Sequence, residues 1–403
     1  MHLRHLSLTN FRAYARLELE LPPGPVLIHG DNGQGKTSLL EAVHYLATAK
    51  SPHTSSDRQL IHWLAVEDSL TPYARLVGDV SRAERAAHIE MTLLLEPADT
   101  ADGFRFRKQI KVNGRLTRVA DLAGQINVVL FLPQDVDTLG GSPGERRRYL
   151  DGALAQIDPD YARAIDRYAD VLAQRNALLK QLQETGGDPD QLAFWDDKLA
   201  ADGALITLKR HLALDELGRF ADRTHRDLTG SQADLRLRYL PAFDAARSAE
   251  AAYQIALRLD VPAPALGDTR RAEAALLAQL EERRADEINA GMTLIGPHRD
   301  DFRFISDQID LGTYGSRGQQ RSAILALKLA EVEWIHAKVN EWPILLLDEV
   351  MAELDAHRRA FLLAHISGVN QSLFTATDPT LFSDAFRSRA RQLRVVAGRI
   401  DEG

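Results

Sequence analysis

The stretch Ile28-His29-Gly30-Asp31-Asn32-Gly33-Gln34-Gly35-Lys36-Thr37-Ser38-Leu39-Leu40 decides the fold. It follows the apolar run Val26-Leu27-Ile28 and opens into an apolar-periodic segment that predicts a helix from Thr37 to about Ala49. Between strand and helix it reads G-x-x-x-x-G-K-T, a phosphate-binding loop. Gly30, Gly33 and Gly35 permit turns that aim several backbone N–H groups at one phosphate, with Asp31, Asn32, Gln34 and Ser38 completing the cradle. Lys36 is placed to reach the β/γ-phosphates and Thr37 to put its hydroxyl on Mg²⁺. The positive end of the following helix faces the same anion.

A second half-site lies most of the chain away. Ile344-Leu345-Leu346-Leu347-Asp348-Glu349 is a continuous apolar run ending in two carboxylates. Such a run predicts a buried parallel strand, and open α/β sheets bind ligands at the carboxyl ends of their strands. Asp348 is then placed to hold the Mg²⁺ water shell, and Glu349 to orient or deprotonate an attacking water. Between the half-sites, Tyr314-Gly315-Ser316-Arg317-Gly318-Gln319-Gln320-Arg321 opens a helix with a Ser- and Gly-rich N-terminus, a second element suited to phosphate. Glu353-Leu354-Asp355 follows the carboxylates, and Ala376-Thr377-Asp378 follows the next predicted strand, Leu373-Phe374-Thr375.

The bulk numbers fit a soluble globular chain of two or three domains: 403 residues, 45% apolar and 26% charged. With no cysteine, disulfides and thiolate–zinc sites are excluded. Met1–Asn10 has no apolar core of signal-peptide length and no run reaches membrane-spanning length, so a cytoplasmic protein with no membrane partner is expected. The net charge of −8 argues against a chain that coats nucleic acid throughout, yet local basic runs remain. Arg105, Arg107, Lys108, Lys111, Arg115 and Arg118 form one without an intervening acid, and Arg387, Arg389, Arg391, Arg394 and Arg399 form another.

Taken in order, residues 1–30 predict strands, with Leu17, Leu19 and Leu21 alternating against Arg16, Glu18 and Glu20. Residues 51–70 read as a surface segment. Ala74–Val80, His88–Leu95 and Val128–Leu132 read as strands, and Phe104–Val119 as a hairpin turned at Asn113-Gly114. Ser142-Pro143-Gly144-Glu145 predicts a capped helix start. Tyr161, Ile165, Tyr168, Leu172, Leu179 and Leu182 then keep heptad spacing, with Arg175 the one polar intruder. Thr185–Pro189 breaks this helix, and a second runs from about Gln191 to Leu228, so the pair forms an antiparallel hairpin or a helical bundle. Leu235–Leu240 predicts an edge strand. Ser248–Leu259 and Thr269–Ile288 predict helices, Asp300–Ile305 and Gln308–Leu311 strands, Ser322–Val339 and Thr380–Ala390 helices, and Leu393–Val396 the last strand.

This ordered set resembles the ATP-binding-cassette ATPases, in the branch with SMC-like heads. Ser316-Arg317-Gly318-Gln319-Gln320 resembles the signature motif and Glu353-Leu354-Asp355 the D-loop. Gln134 stands where a Q-loop residue contacts Mg²⁺ and water, and Thr377 or Asp378 occupies the switch position. Over essentially its whole length the chain resembles the RecF family of recombination mediators. The likeness rests on Asn10–Tyr14, Gly33–Thr37, Gly141–Asp151, Gly296-Pro297-His298-Arg299-Asp300-Asp301 and Gly315–Gln320.

The resemblance implies an α/β fold: a P-loop, ABC-type ATPase head built from both chain ends, with an inserted helical arm. Residues 1–150 and 290–403 would form the head and 151–289 the arm. It implies ATP and Mg²⁺, weak DNA-stimulated ATP hydrolysis, and a homodimer in which Ser316 and Gly318 of one copy meet the γ-phosphate held by Lys36 of the other. Arg12 would approach the phosphates from the side of Lys36. The implied partners are duplex DNA and single-strand/duplex junctions, RecR and RecO, and indirectly RecA; the Arg105–Arg118 hairpin would supply DNA phosphate contacts. Three positions depart from the family's usual residues: Gln134 for Glu, Glu349 for Asp and Ala352 for Ser. The alternatives are the ATPase subunit of a transporter, and a DNA-binding module in which hydrolysis is incidental.

Overall fold

Alternating apolar residues build the first sheet of the protein, whose computed structural model describes residues 1–68, 70–83, 85–99, 103–243 and 269–402. In β1 (His2–Phe11), Leu3, Leu6 and Leu8 are buried, and the step of three between Leu3 and Leu6 is absorbed by a register shift against the neighbouring strand. In β2 (Tyr14–Glu20), Leu17 and Leu19 point inward and Arg16, Glu18 and Glu20 outward. With β3 (Gly24–His29) reserved for another sheet, β4 (Tyr73–Ser81), β5 (Ala86–Pro97), β6 (Phe104–Val112) and β7 (Arg115–Thr117) complete an antiparallel sheet of order β2-β1-β4-β5-β6-β7. Asn113 and Gly114, at φ 50° and 78°, make the expected tight turn between β6 and β7.

The second sheet carries the chemistry-bearing ends. β8 (Val128–Phe131), β12 (Ile344–Asp348), β13 (Gln371–Ala376), β3 and β14 (Arg391–Val396) are parallel, and β15 (Arg399–Glu402) returns antiparallel, in the order β15-β14-β3-β13-β12-β8. Every residue of β12 is buried, as its unbroken apolar run requires. α1 (Lys36–Thr48) lies between the two sheets, touching β8, β12 and β13 on one side and β1, β4 and β5 on the other. Hence Leu39, Leu40, Ala42, Val43, Leu46 and Ala47 are buried around most of its circumference. Gln371, fully buried, ties the sheets together by pairing with the N–H and C=O of Leu3.

By its contacts the chain divides into two compact units, Met1–Asp135 with Glu331–Gly403, and Val136–Ala330. Both sheets above belong to the first, which is therefore built from both chain ends. The first also holds α2 (Trp63–Asp68), in the stretch read as surface, where Leu60 and Ile61 are nevertheless buried.

The second unit is mainly helical. After the single turn α3 (Asp137–Gly140), α4 (Pro143–Ile157) begins with the expected capping box: Ser142 Oγ accepts the Glu145 N–H while the Glu145 carboxylate accepts the Ser142 N–H. α5 (Pro159–Thr185) and α6 (Ala193–Thr229) run antiparallel, in a register shown by the ion pairs Asp158–Lys209, Arg167–Asp202 and Arg175–Asp196. Arg175, the intruder in the heptad, is fully buried and also pairs with Glu287 at 2.7 Å and with Thr293 at 2.8 Å. The stretch Thr269–Ile288 divides at Arg283 into helices Thr269–Glu282 and Arg284–Ala290. The helix read at Ser248–Leu259 lies outside the described residues. β9 (Arg236–Leu240), β10 (Asp301–Ser306) and β11 (Ile309–Asp310) form a small antiparallel sheet with β9 at one edge.

Two further expectations differ from the structure. Thr380–Ala390 is a 3₁₀ turn, Pro379–Leu381, and a separate helix, Asp384–Arg389, each capped by its own side chain, Asp378 and Ser383. Leu393–Val396 is not the last strand, because the turn at Ala397 and Gly398 (φ 48° and 70°) returns the chain as β15.

Candidate nucleotide-binding site

Five parallel strands end on one edge of the second sheet, and Lys36, Thr37, Asp348, Glu349 and Thr377 gather there. The loop after β3 holds Gly30 at φ 150°, where an added Cβ would collide with the carbonyl of Val395. Gly35 begins α1 at φ 114° with no side-chain cap, and no acid stands in the helix's first turn. Among the described residues, the N-terminal N–H groups of that helix therefore receive no side-chain anion, which suits a bound phosphate. Tyr14 braces the turn by donating its hydroxyl to Gly35 O at 3.0 Å, and burial pushes its phenol pKa upward. The β14–β15 turn braces it from another side. Ala397 N–H donates to Gln34 Oε1 at 2.6 Å and Gly398 N–H to Gln34 O at 3.0 Å.

Lys36 is only 4% exposed. Its ammonium donates to the carbonyls of Gly30 (2.8 Å) and Asp31 (3.1 Å) and pairs with Glu349 Oε1 at 3.0 Å. Thr37 donates its hydroxyl to Asp348 Oδ1 at 3.0 Å. The two half-sites read from opposite ends of the sequence thus meet in direct contact. Glu349 sits in the left-handed region at φ 52°, uncommon for a residue with a side chain. Thr377 Oγ1 lies 3.0 Å from both Glu349 oxygens and from Asn32 Oδ1, so its one proton serves one of these at a time.

Asp378 is turned away from this group. It accepts the N–H and hydroxyl of Thr380, which hold its carboxyl below the usual range. Asp355 caps the helix Ala356–His365 and accepts the Arg358 N–H, with the same effect on its pKa. Gln134 is exposed on a 3₁₀ turn, Pro133–Val136, three residues beyond Phe131, the partner of Leu347 in the β8–β12 ladder. Arg12, at φ 51°, sends two guanidinium nitrogens to Glu41 of α1, both at 2.8 Å, and a third to Gln59 O. Ser38 follows Thr37 in the first turn of α1, half-buried.

Thr375 is the participant that sequence reading missed. Its hydroxyl donates to Asp348 Oδ1 at 2.6 Å and accepts the Glu349 N–H at 2.9 Å. The only signal for it is the i, i+2 spacing with Thr377, which puts both hydroxyls on one side of the strand end.

A hydroxyl and a carboxylate on one spot, next to a buried lysine, fit Mg²⁺ with a nucleotide phosphate. Mg²⁺ takes hard oxygen donors, commonly one or two from protein with phosphate oxygens and water supplying the rest. No group of three or more acidic, His or Cys side chains suited to a metal occurs among the described residues.

In the second unit the Ser316–Gln320 turn opens the helix Arg317–Val339. Ser316 N–H donates to Gln319 Oε1 at 2.8 Å and Gln319 N–H returns to Ser316 Oγ at 3.3 Å, a reciprocal cap. Gln320 anchors the turn by donating to Leu311 O at 2.9 Å, while Ser316, Arg317, Gly318 and Gln319 are exposed. Tyr314, just before them, is 78% exposed.

The basic hairpin divides by strand alternation. Arg105, Arg107 and Lys111 of β6 face outward; Lys108 points the other way, held by Asp57 at 2.7 Å and Ala49 O at 2.8 Å. Lys108 is thus corrected to a packing role, because period-two geometry puts it on the face of Ile110. The outward cations also meet acids that the sequence run conceals. Arg105 is registered with Glu96, Arg107 pairs with Glu96 at 3.3 Å, and Lys111 with Glu90 at 3.7 Å. Arg115 and Arg118 are exposed.

Known proteins share this fold. The family model described as the RecF/RecN/SMC N terminal domain matches residues 2–398. The DNA replication and repair protein RecF of Chloroflexus aurantiacus is 41% identical over 100% of both chains, and that of Herpetosiphon aurantiacus 40% identical over 99% of each. A solved structure of the recombination mediator protein RecF-ATPrS in the RecFOR pathway is similar with a TM-score of 0.83 at 28% identity, covering 100% of this chain and 98% of that one. An Smc head bound to the C-winged helix domain of ScpA, 16% identical with a TM-score of 0.50 over 100% of this chain and 96% of that one, shares the fold.

Proposed function

The chain belongs to the RecF/RecN/SMC N-terminal domain family, on its RecF side, and from that premise we propose an ATP-gated DNA-binding ATPase of recombinational repair. The observation that carries the reading is the 3.0 Å contact between Thr37 and Asp348, which joins a phosphate loop to a strand-end carboxylate. Residues 30–38 bind the phosphates, with Lys36 as the principal cation. Thr37 and Asp348 hold Mg²⁺, assisted by Gln134. The metal, when bound, neutralises phosphate charge. Glu349 takes a proton from the attacking water, and Thr377 senses the occupied state through Asn32. Ser316–Gln320, exposed and preorganised, acts on the nucleotide of a second copy, with Asp355 at the seam.

That dimer acts on duplex DNA beside single-strand gaps, where it works with RecR and RecO to help load RecA. Hydrolysis, weak and raised by DNA, releases it. Arg105, Arg107, Lys111, Arg115 and Arg118 contribute phosphate contacts. Such contacts release counterions, so affinity must fall steeply with salt. Duplex binding by the wild type should require ATP. Replacing Arg105, Arg107, Arg115 and Arg118 by Gln should weaken it and flatten the plot of log affinity against log salt by about one unit per lost contact. ATP-independent binding overturns the gating; unchanged affinity and slope in the variant overturn the hairpin's part.

A further inference from the structure

Resting on the ATPase reading, we infer that Thr375 is a positioning residue that sets both strand-end carboxylates through one hydroxyl. It is 1% exposed, and the β12–β13 register places it directly opposite Asp348. A hydroxyl has one proton and two lone pairs, and here each partner fixes its direction. Asp348 Oδ1 accepts the hydrogen bond from the hydroxyl, and the Glu349 N–H donates to its oxygen.

The first bond orients Asp348. The same Oδ1 takes the Thr37 hydroxyl, so two hydroxyls from two different elements converge on one carboxylate oxygen and lock its rotamer. The second bond holds the backbone of Glu349. The ladder between β12 and β13 ends at the Asp348–Thr375 pair, so Glu349 lies beyond it, with φ turned to 52°. Sparsely populated backbone states persist where surrounding contacts over-determine them, and the Thr375 oxygen supplies that contact at the strained residue itself. Two residues on, just past β13, Thr377 reaches the Glu349 carboxylate, so the backbone and the side chain of Glu349 are held by two threonines at the end of one strand. A neighbouring side chain cannot replace Thr375, because the residues at 374 and 376 point to the opposite face.

The test compares Thr375→Val, which keeps the shape and loses the hydroxyl, with Thr375→Ser, which keeps the hydroxyl. Two quantities are read: the Mg²⁺ concentration giving half-maximal binding of a fluorescent ATP analogue, and kcat for ATP. Partners that orient metal ligands are worth about 10- to 100-fold in metal affinity or activity. The valine variant should need about 10- to 100-fold more Mg²⁺ and lose a comparable factor in kcat, and serine should restore both. A valine variant equal to wild type, or a serine variant as impaired as valine, overturns the inference. Should the valine variant not fold, Thr375→Ala stands in with the same two outcomes. A wild-type chain that binds no nucleotide overturns the ATPase reading instead.

Discussion

Lys36 and Glu349 hold each other at 3.0 Å, a buried cation with its counter-charge. A buried ammonium without a counter-charge is destabilising by several kcal/mol, on the order of 3–5. Glu349 supplies that counter-charge, at the cost of a left-handed backbone worth about 1–3 kcal/mol of strain. In the proposed function, phosphate would bring its own negative charge to Lys36, and the Glu349 carboxylate would act on water. Glu349→Gln should therefore bind ATP at least as tightly as wild type while turnover falls by about 100-fold or more, the usual contribution of a general base. Single-turnover hydrolysis beside an equilibrium binding curve reads both. Undiminished turnover would remove Glu349 from the chemistry. The phosphate loop and the Asp348-Glu349 pair were legible in the sequence because each is a contiguous pattern with its own physics. Thr375 was not, because a threonine at a strand end is ordinary and only the β12–β13 register makes it opposite Asp348. Arg12 was legible as a motif member, but its partner Glu41 was not, since the contact depends on how β1 turns over α1.

At the scale of elements, periodicity worked where one face is buried and failed where a turn decides. The alternating strands of the first sheet and the heptad of α5 were readable. Arg175 looked like a flaw in that heptad and is instead buried against Asp196 and Glu287, from two other helices. Arg175→Ala leaves two carboxylates without that cation, and breaking a buried pair costs about 3–5 kcal/mol. Thermal or urea unfolding followed by circular dichroism should show a loss of that order; a loss below ~1 kcal/mol would contradict the buried network. β15 escaped notice because Arg399-Ile400-Asp401-Glu402 is short and polar, and its signal is the positive-φ turn at Ala397-Gly398 rather than any alternation. The basic hairpin misled in a related way: a run free of acids in sequence faces Glu90 and Glu96 across the strands. Lys108 shows the same limit, because linear charge counting ignores the side on which a strand presents each residue.

For the whole molecule, the proposed function requires that one chain carry only half of a working site. It has one phosphate loop, at residues 30–37, and one signature turn, at residues 316–320, in different compact units. The turn is capped internally by Gln319 and exposed, with Tyr314 beside it, as a surface that a second copy covers would be. Under the proposed function, ATP would join two weak surfaces, and assembly on DNA would be conditional on nucleotide. Ser316→Arg puts a bulky cation at that surface and removes a helix cap worth about 1 kcal/mol, a loss the fold should survive. The deciding measurement is sedimentation velocity of wild type and Ser316→Arg with and without Mg-ATP, with nucleotide binding checked on the same samples. Wild type should become a dimer only with ATP, and Ser316→Arg should bind ATP yet stay a monomer. A Ser316→Arg chain that dimerises normally with ATP would contradict the proposed function.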